Sequence, residues 1–389
     1  MGELLKDLVT QIILKFNEPT VESVIWWINV TPKLAGFSVV SHRNYVLFWI
    51  VHFAVLSYID FYSNFVNWIK LSEDMYGVIK ANTNLSIVIV TINISVWFFV
   101  KRSFYRSLLI TTMQRIREID HLTLKSVFLH NKHTRLMRRI KHLIVIYYVV
   151  NFVNIYVIWI PLRMNLSSSI YTSYPCPGLD ISVETNKWLC RSFIFFQDST
   201  VTLVLVTYQC IFLFFITHTA AMYLLMSDEI LLLNHLKRIR NTLLIRRKLS
   251  DIIKRHGLIL NLMDCLRMLY STPMGIDFAT NVYFMCLFLS LTKQDWISLA
   301  PPFIYCVIVF FLYCFLCQKL IDASVVFESS VYGCGWERFE MSEKKTVYIM
   351  LKVARRPIKL FAANIIPIDL NTFAVTVQNM YKFVTALKV

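Results

Sequence analysis

The stretch NIIPIDLNTFAVTVQNMYKFVTALKV, Asn364 to Val389, decides how the rest of the chain reads. It is long and apolar enough to cross a membrane, yet it carries Asn371, Thr372, Gln378, Asn379, Lys382 and Lys388. Hydrocarbon penalises each of those groups, so they need protein, water or an interface to face. On a helix, Val377, Tyr381, Val384 and Lys388 share one stripe, with Gln378 and Thr385 on its shoulder. Phe373, Met380, Phe383 and Leu387 fall mostly elsewhere. Two readings follow. The stripe borders water in a pore built from one such helix per subunit, or it packs on a neighbouring helix while the lysines reach outward.

Working outward, residues 346–359 read as an amphipathic helix interrupted by Pro357, and 364–369, with Pro367, as a break. The last element is therefore split into a helix, a break and a terminal span. The whole chain of 389 residues is 57% hydrophobic and 16% charged, with a mean hydropathy of +0.55. Soluble domains sit near 45–50% apolar and about 25% charged, so the composition specifies a polytopic, all-α membrane protein. Seven apolar stretches are long enough to span: 45–68, 78–100, 143–162, 194–225, 276–292, 298–317 and 365–387. The fifth is short. The fourth exceeds a bilayer of about 30 Å and projects beyond it or tilts.

The net charge of +16 does not point to nucleic acid, because the basic residues sit between spans. Segments 1–44, 101–142, 226–275 and 318–364 hold 32 of the 40 Lys and Arg. The positive-inside rule makes that side cytoplasmic. The N-terminus is then cytoplasmic and, after an odd number of spans, the C-terminus extracellular. A G-protein-coupled receptor would have the opposite orientation. No secretory signal peptide is expected from MGELLKDLVT, and Lys6 stands where a myristoylation signal wants Ser or Thr.

This divides the chain into a cytoplasmic segment (1–44), spans one to four (45–225) with an extracellular loop at 163–193, and a cytoplasmic helical hairpin (226–275). Spans five and six (276–317), a cytoplasmic loop and anchor helix (318–363) and the terminal helix (364–389) complete it. Apolar residues at steps of three and four through 232–253 make the hairpin amphipathic. It serves as a subunit-assembly platform or lies on the membrane surface, and the length of the stripe favours assembly. In the extracellular loop, Asn165 opens a glycosylation sequon, and Cys176 and Cys190 face an oxidising compartment. Those cysteines form a disulfide or remain free thiols packed in the loop.

There is no phosphate loop, nucleophile elbow or metal-ligand spacing, so no enzyme, metal or cofactor is expected. His121, His130, His133 and His142 read as solvated residues of a basic loop, and Cys314 and Cys317 as packing residues within span six. Asp60 of span one and Lys80 of span two suggest a pair. The outer halves of spans two to six contain Ile87, Val90, Thr91, Ile94, Asn151, Asn154, Ile155, Trp159, Phe195, Thr200, Val204, Asn281, Tyr283, Tyr305 and Ile308. Apolar walls with a few hydroxyls and amides suit a small, mostly apolar ligand. Ordinary bundle packing accounts for any one of these residues alone.

The last segments resemble insect odorant receptors. The resemblance rests on Tyr332, Cys334 and Trp336, a Lys-rich helix ending at Arg356–Pro357, the run Pro367, Asp369, Leu370, Thr372 and Phe373, and a close on Tyr381, Phe383 and Leu387. It covers about sixty residues specifically. It implies a subunit of a heteromeric, odorant-gated, non-selective cation channel in the plasma membrane of a sensory dendrite, assembled as a tetramer with the odorant receptor co-receptor (Orco). The cytoplasmic ends of spans four to seven would form the anchor, and odorant would bind in the outer halves of spans two to six. The terminal helix would line the pore, with Val384 or Leu387 at the gate. Four copies of Lys388 would ring the mouth with positive charge and oppose cation passage. That favours a tuning subunit diluted by co-receptor over the co-receptor itself. The alternatives are a gustatory receptor of the same fold, whose usual terminal run FAVTVQNMYKF does not reproduce, and a secondary transporter, whose internal repeats are missing.

Overall fold

The computed structural model describes residues 2–35, 38, 46–62, 65–66, 69, 75–99, 104–124, 127–165, 176–180, 182–236, 242–290, 293–356 and 358–387, and nearly all of them are helical. Helices α1 (Gly2–Asn17) and α2 (Val21–Ala35) precede α3 (Val46–Leu56), which runs on as a π-helical turn at Ser57–Tyr62. Next come α4 (Met75–Phe99), α5 (Phe104–Leu124) and α6 (Val127–Val153). Helix α6 continues through a π-helical stretch, Asn154–Trp159, into α7 (Ile160–Met164). Three long helices follow, α8 (Glu184–Leu236), α9 (Thr242–Ser290) and α10 (Lys293–Tyr332), then α11 (Met341–Ala354) and α12 (Leu370–Leu387).

Each expected span coincides with a helix: α3, α4, α6, α8, α9, α10 and α12 in turn. Among the described residues, three helical stretches are long and apolar enough to cross a membrane on composition alone: Leu129–Met164, Glu184–Asn234 and Ala300–Arg338. Val46–Ile59 and Val88–Phe98 are shorter apolar helices. Neither α9 nor α12 is among them, and both carry polar residues such as Thr280 and Asn281, or Gln378, Asn379 and Lys382.

Helix α8 is the axis of the bundle. It packs against α3, α4, α6, α9 and α10, and residues such as Tyr208, Phe212, Phe214, Phe215 and Ile216 are fully buried. A helix apolar on every side is stable only at the centre of a protein or in lipid. Its 53 residues extend about 80 Å, more than twice the hydrocarbon core. The short fifth span is one end of a 49-residue helix, so the hairpin arms are continuations of α8 and α9.

The projecting ends are tied by ions as well as by apolar packing. Buried Glu229 of α8 receives Lys248 Nζ at 2.9 Å and the buried Arg255 guanidinium, both from α9. Burial opposes ionisation of Glu229, but Arg255 and Lys248 outweigh it and hold the carboxyl below the usual range. Arg246 of α9 pairs with Glu343 of α11 at 2.9 Å. Gly335, at φ 76°, supplies the left-handed turn that leads from α10 towards α11.

The break before the terminal helix is a small hairpin. Strand β1 (Phe361–Ala362) pairs antiparallel with β2 (Ile366–Pro367). Ala363 and Asn364 turn the chain with φ of 52° and 58°. The hairpin is pinned to α9: Ala363 N donates to Ser271 O at 2.7 Å, and Ser271 Oγ lies 2.7 Å from Asn364 Oδ1. Asp369 then caps α12, with Oδ1 accepting Thr372 N at 2.9 Å. Pro367, Asp369 and Thr372 therefore have local structural tasks at the start of the helix.

Candidate ligand cavity and terminal helix

A cavity of about 170 Å³ lies between α4, the α6–α7 segment, α8, α9 and α10. Ligand sites for drug-sized molecules run to about 300–1,000 Å³, so an occupant here is small. Nine of the fifteen residues expected to form a pocket line it: Val90, Thr91, Ile94, Asn151, Asn154, Ile155, Trp159, Asn281 and Tyr305. The other six do not come together there. The Ile87 side chain lies outside the described residues. Phe195 and Ile308 are exposed, and Val204, on α8, is sealed in the core. Tyr283 faces a second groove, between α9 and α12. Thr200 Oγ1 sits 3.0 Å from His52 Nδ1, whose Nε2 meets Ser95 Oγ at 2.8 Å, so that hydroxyl joins α3 to α8 instead of facing the cavity.

The π-helical stretch explains part of the outcome. A wider turn rotates the following residues relative to an α-helix and brings Asn154, Ile155 and Trp159 to one lining surface. The charged lining and part of the amide lining were missed: Arg163, Gln197, Asp198, Gln209 and Asp277. Their signal was present, since ionisable and amide groups inside apolar spans are expensive and face protein or water. Arg163 Nη1 reaches Asp198 Oδ1 at 2.5 Å and Gln197 Oε1 at 3.1 Å, which closes one end of the cavity. Further along α8, Gln209 Oε1 accepts from Tyr147 at 2.6 Å and Tyr305 at 2.8 Å. Twelve residues of helix separate Gln197 from Gln209, so the space is elongated by about 18 Å along α8. Asp277 Oδ1 accepts Asn93 Nδ2 at 2.9 Å.

The terminal helix packs on one side only. Phe373 stands 5.3 Å from both Phe310 and Phe311 of α10, and Met380 is buried. Val377 is 40% exposed and Tyr381 70% exposed, with Gln378, Lys382 and Thr385 also uncovered. The described part of the stripe read from sequence therefore faces away from its own chain. The side chains of Val384 and Leu387 lie outside the described residues, as does Lys388. Thr372, Thr376, Asn379, Met380 and Phe383 line the groove against α9.

A disulfide joins Cys176 to Cys190, with Cα atoms 5.9 Å apart. Asn165 is exposed, and the rest of its sequon lies outside the described residues. The same holds for the Asp60 and Lys80 side chains. One histidine differs from its expectation: His133 is buried and bonded to Asp120 instead of solvated, because α5 and α6 pack through it.

Three comparisons bear on identity. A family model described as 7tm Odorant receptor matches residues 77–381. Odorant receptor 67a of Drosophila melanogaster is 25% identical over 150 residues, 36% of this chain and 36% of that protein. Odorant receptor 22a of the same fly is 25% identical over 150 residues, 36% of this chain and 37% of that protein. The chain thus aligns with little more than a third of the length of these curated relatives. The insect olfactory receptor OR5 from Machilis hrabei, in complex with eugenol, superposes with a TM-score of 0.65 at 13% identity, over 87% of each chain. A second structure of that receptor gives 0.64 at 12% identity, over 87% of this chain and 86% of that one.

Proposed function

Because the chain belongs to the insect odorant receptor family, a family of multi-pass membrane receptors and not of enzymes, we propose that it is the odorant-binding, tuning subunit of a heteromeric odorant-gated cation channel. Its partner is the odorant receptor co-receptor (Orco), in a tetramer at the plasma membrane of a sensory dendrite. The observation that carries this reading is a cavity sharing α9 and α10 with the helix whose uncovered face is polar-tolerant.

The division of labour follows from placement. The cavity selects a small volatile ligand. The two helices that wall it on one side, α9 and α10, carry α12 on other faces, through residues such as Phe278, Val282, Phe310 and Phe311. Odorant shifts the channel only by binding the open arrangement better than the closed one. A ligand that spreads α9 from α10 would move α12, and with it Val384 or Leu387 at the gate. The exposed face of α12, from Val377 to Tyr381, would line the conduit with the equivalent helices of neighbouring subunits. One or two copies of Lys388, diluted by co-receptor, leave the mouth passable to cations.

The test is co-expression with the co-receptor and recording of currents against an odorant panel. Trp159→Ala and Tyr305→Ala should raise the half-maximal ligand concentration roughly tenfold, as expected for losing about 1.4 kcal/mol of ligand contact. Val384→Lys should alter conductance or ion selectivity with ligand sensitivity kept. Effects of both classes on surface expression alone would remove the proposal.

A further inference from the structure

Three side chains lining the cavity carry formal charge: Arg163, Asp198 and Asp277. The first two form an ion pair at 2.5 Å. Asp277 is 3% exposed, and its hydrogen-bond partner among the described residues is a neutral amide, Asn93 Nδ2. That amide is shared, because it also donates to Pro273 O at 3.0 Å. Tyr305, on the same cavity wall, spends its hydroxyl proton on Gln209. The rest of the cavity wall is uncharged, with hydroxyls and amides such as Thr280 and Asn281 among apolar and aromatic residues that include Ile94, Phe284, Val309 and Tyr313. The wall therefore holds one carboxyl more than it holds cations.

A buried carboxylate without a counter-ion is costly, and burying it beside a fixed cation recovers much of that cost. Among the described residues the cavity wall supplies no such cation, so a ligand can. We propose that Asp277 is the recognition carboxylate for a small organic amine, taking a primary or secondary ammonium head whose apolar body fills the cavity. Aromatic faces beside an ammonium add attraction of the cation–π type, which Phe284 and Tyr313 are placed to supply. Simple aliphatic amines are protonated at neutral pH, with pKa values like that of lysine, about 10.4. A neutral alcohol can also donate to Asp277, but it leaves the charge uncompensated. This rests on the reading of the cavity as the odorant site, and it adds the chemical class of the odorant.

Full-length chain in lipid nanodiscs would be titrated at pH 7 with 2-phenylethylamine, 2-phenylethanol and N-acetyl-2-phenylethylamine, following tryptophan fluorescence. The amine should bind at least tenfold more tightly than either neutral analogue. Asp277→Asn should bring the amine and the alcohol within about threefold of each other, through a loss of amine binding larger than any change in alcohol binding. No amine preference in the unmodified chain, or a preference that survives Asp277→Asn, overturns the inference. If the variant does not fold, the amine against its acetylated form in the unmodified chain decides alone. Currents in cells carrying the co-receptor separate the two readings. Gating by neutral odorants without amine binding keeps the receptor reading and sinks this one. Asp277-dependent amine binding without current from any compound does the reverse.

Discussion

At the scale of one residue, Gly275 shows how the terminal helix is held. A methyl group added there would come within 2.6 Å of Ala363 Cβ and 2.9 Å of Ala363 N. The missing side chain lets the hairpin before α12 dock on α9, where Ser271 receives it. Gly275→Ala should cost about 1–3 kcal/mol as overpacking, read as a lower Tm in detergent. Because the strain falls on the hairpin that carries α12, channel currents should weaken more than ligand binding does. Equal losses of both would mean that the contact is merely structural. Nothing in the sequence identified this glycine, since its partner lies 88 positions further along the chain. Asp369 differs in that its signal is local, since an acid ahead of an apolar helical run is a cap signal in any context and its partner Thr372 lies three positions on.

Elements were legible where hydrophobicity alone sets them. The apolar runs became helices because lipid leaves the backbone no other way to satisfy its hydrogen bonds. The end of α9 embedded in the bundle was hard to delimit, because Ser271, Thr280 and Asn281 interrupt its apolar pattern and Pro273 resembles a stop. The helix passes through Pro273 all the same. Proline removes the donor that Leu269 O would otherwise use, and Trp97 Nε1 of α4 replaces it at 2.9 Å. Trp97→Phe keeps most of the aromatic packing but strands that carbonyl, which should cost about 1–3 kcal/mol. The stranded carbonyl should also make α9 kink at Pro273. Faster hydrogen exchange through 266–273 in the variant would check this. The pocket was partly legible for a related reason. Composition indicates that polar groups within spans face inward, but which wall each joins depends on π-helical turns and on partners such as His52, which sequence spacing does not encode.

For the whole molecule, the projecting ends of α8, α9 and α10 act as one body, and their stability should depend on pH. His256 of α9 is buried between Tyr223, ring centroids 5.9 Å apart, and Phe327, 4.9 Å apart. Burial lowers its pKa from 6.5 to about 4. Above pH 6.5 the imidazole is neutral in the folded and unfolded chain alike, so the group adds no penalty. Below that, the unfolded chain takes up a proton that the folded chain refuses until about pH 4. Stability is therefore present above the unfolded value and lost as pH falls through this window, by up to roughly 3 kcal/mol. Glu229 adds to the loss at the acid end, since its carboxyl, held ionised by Arg255 and Lys248, refuses a proton that the unfolded chain takes up. A melting series on detergent-solubilised chain should show Tm dropping between pH 6.5 and 4, with a shallower drop in His256→Gln. Parallel curves for the two proteins would place the acid sensitivity elsewhere. A shallower curve for the variant would locate it in the aromatic seat that joins α8, α9 and α10.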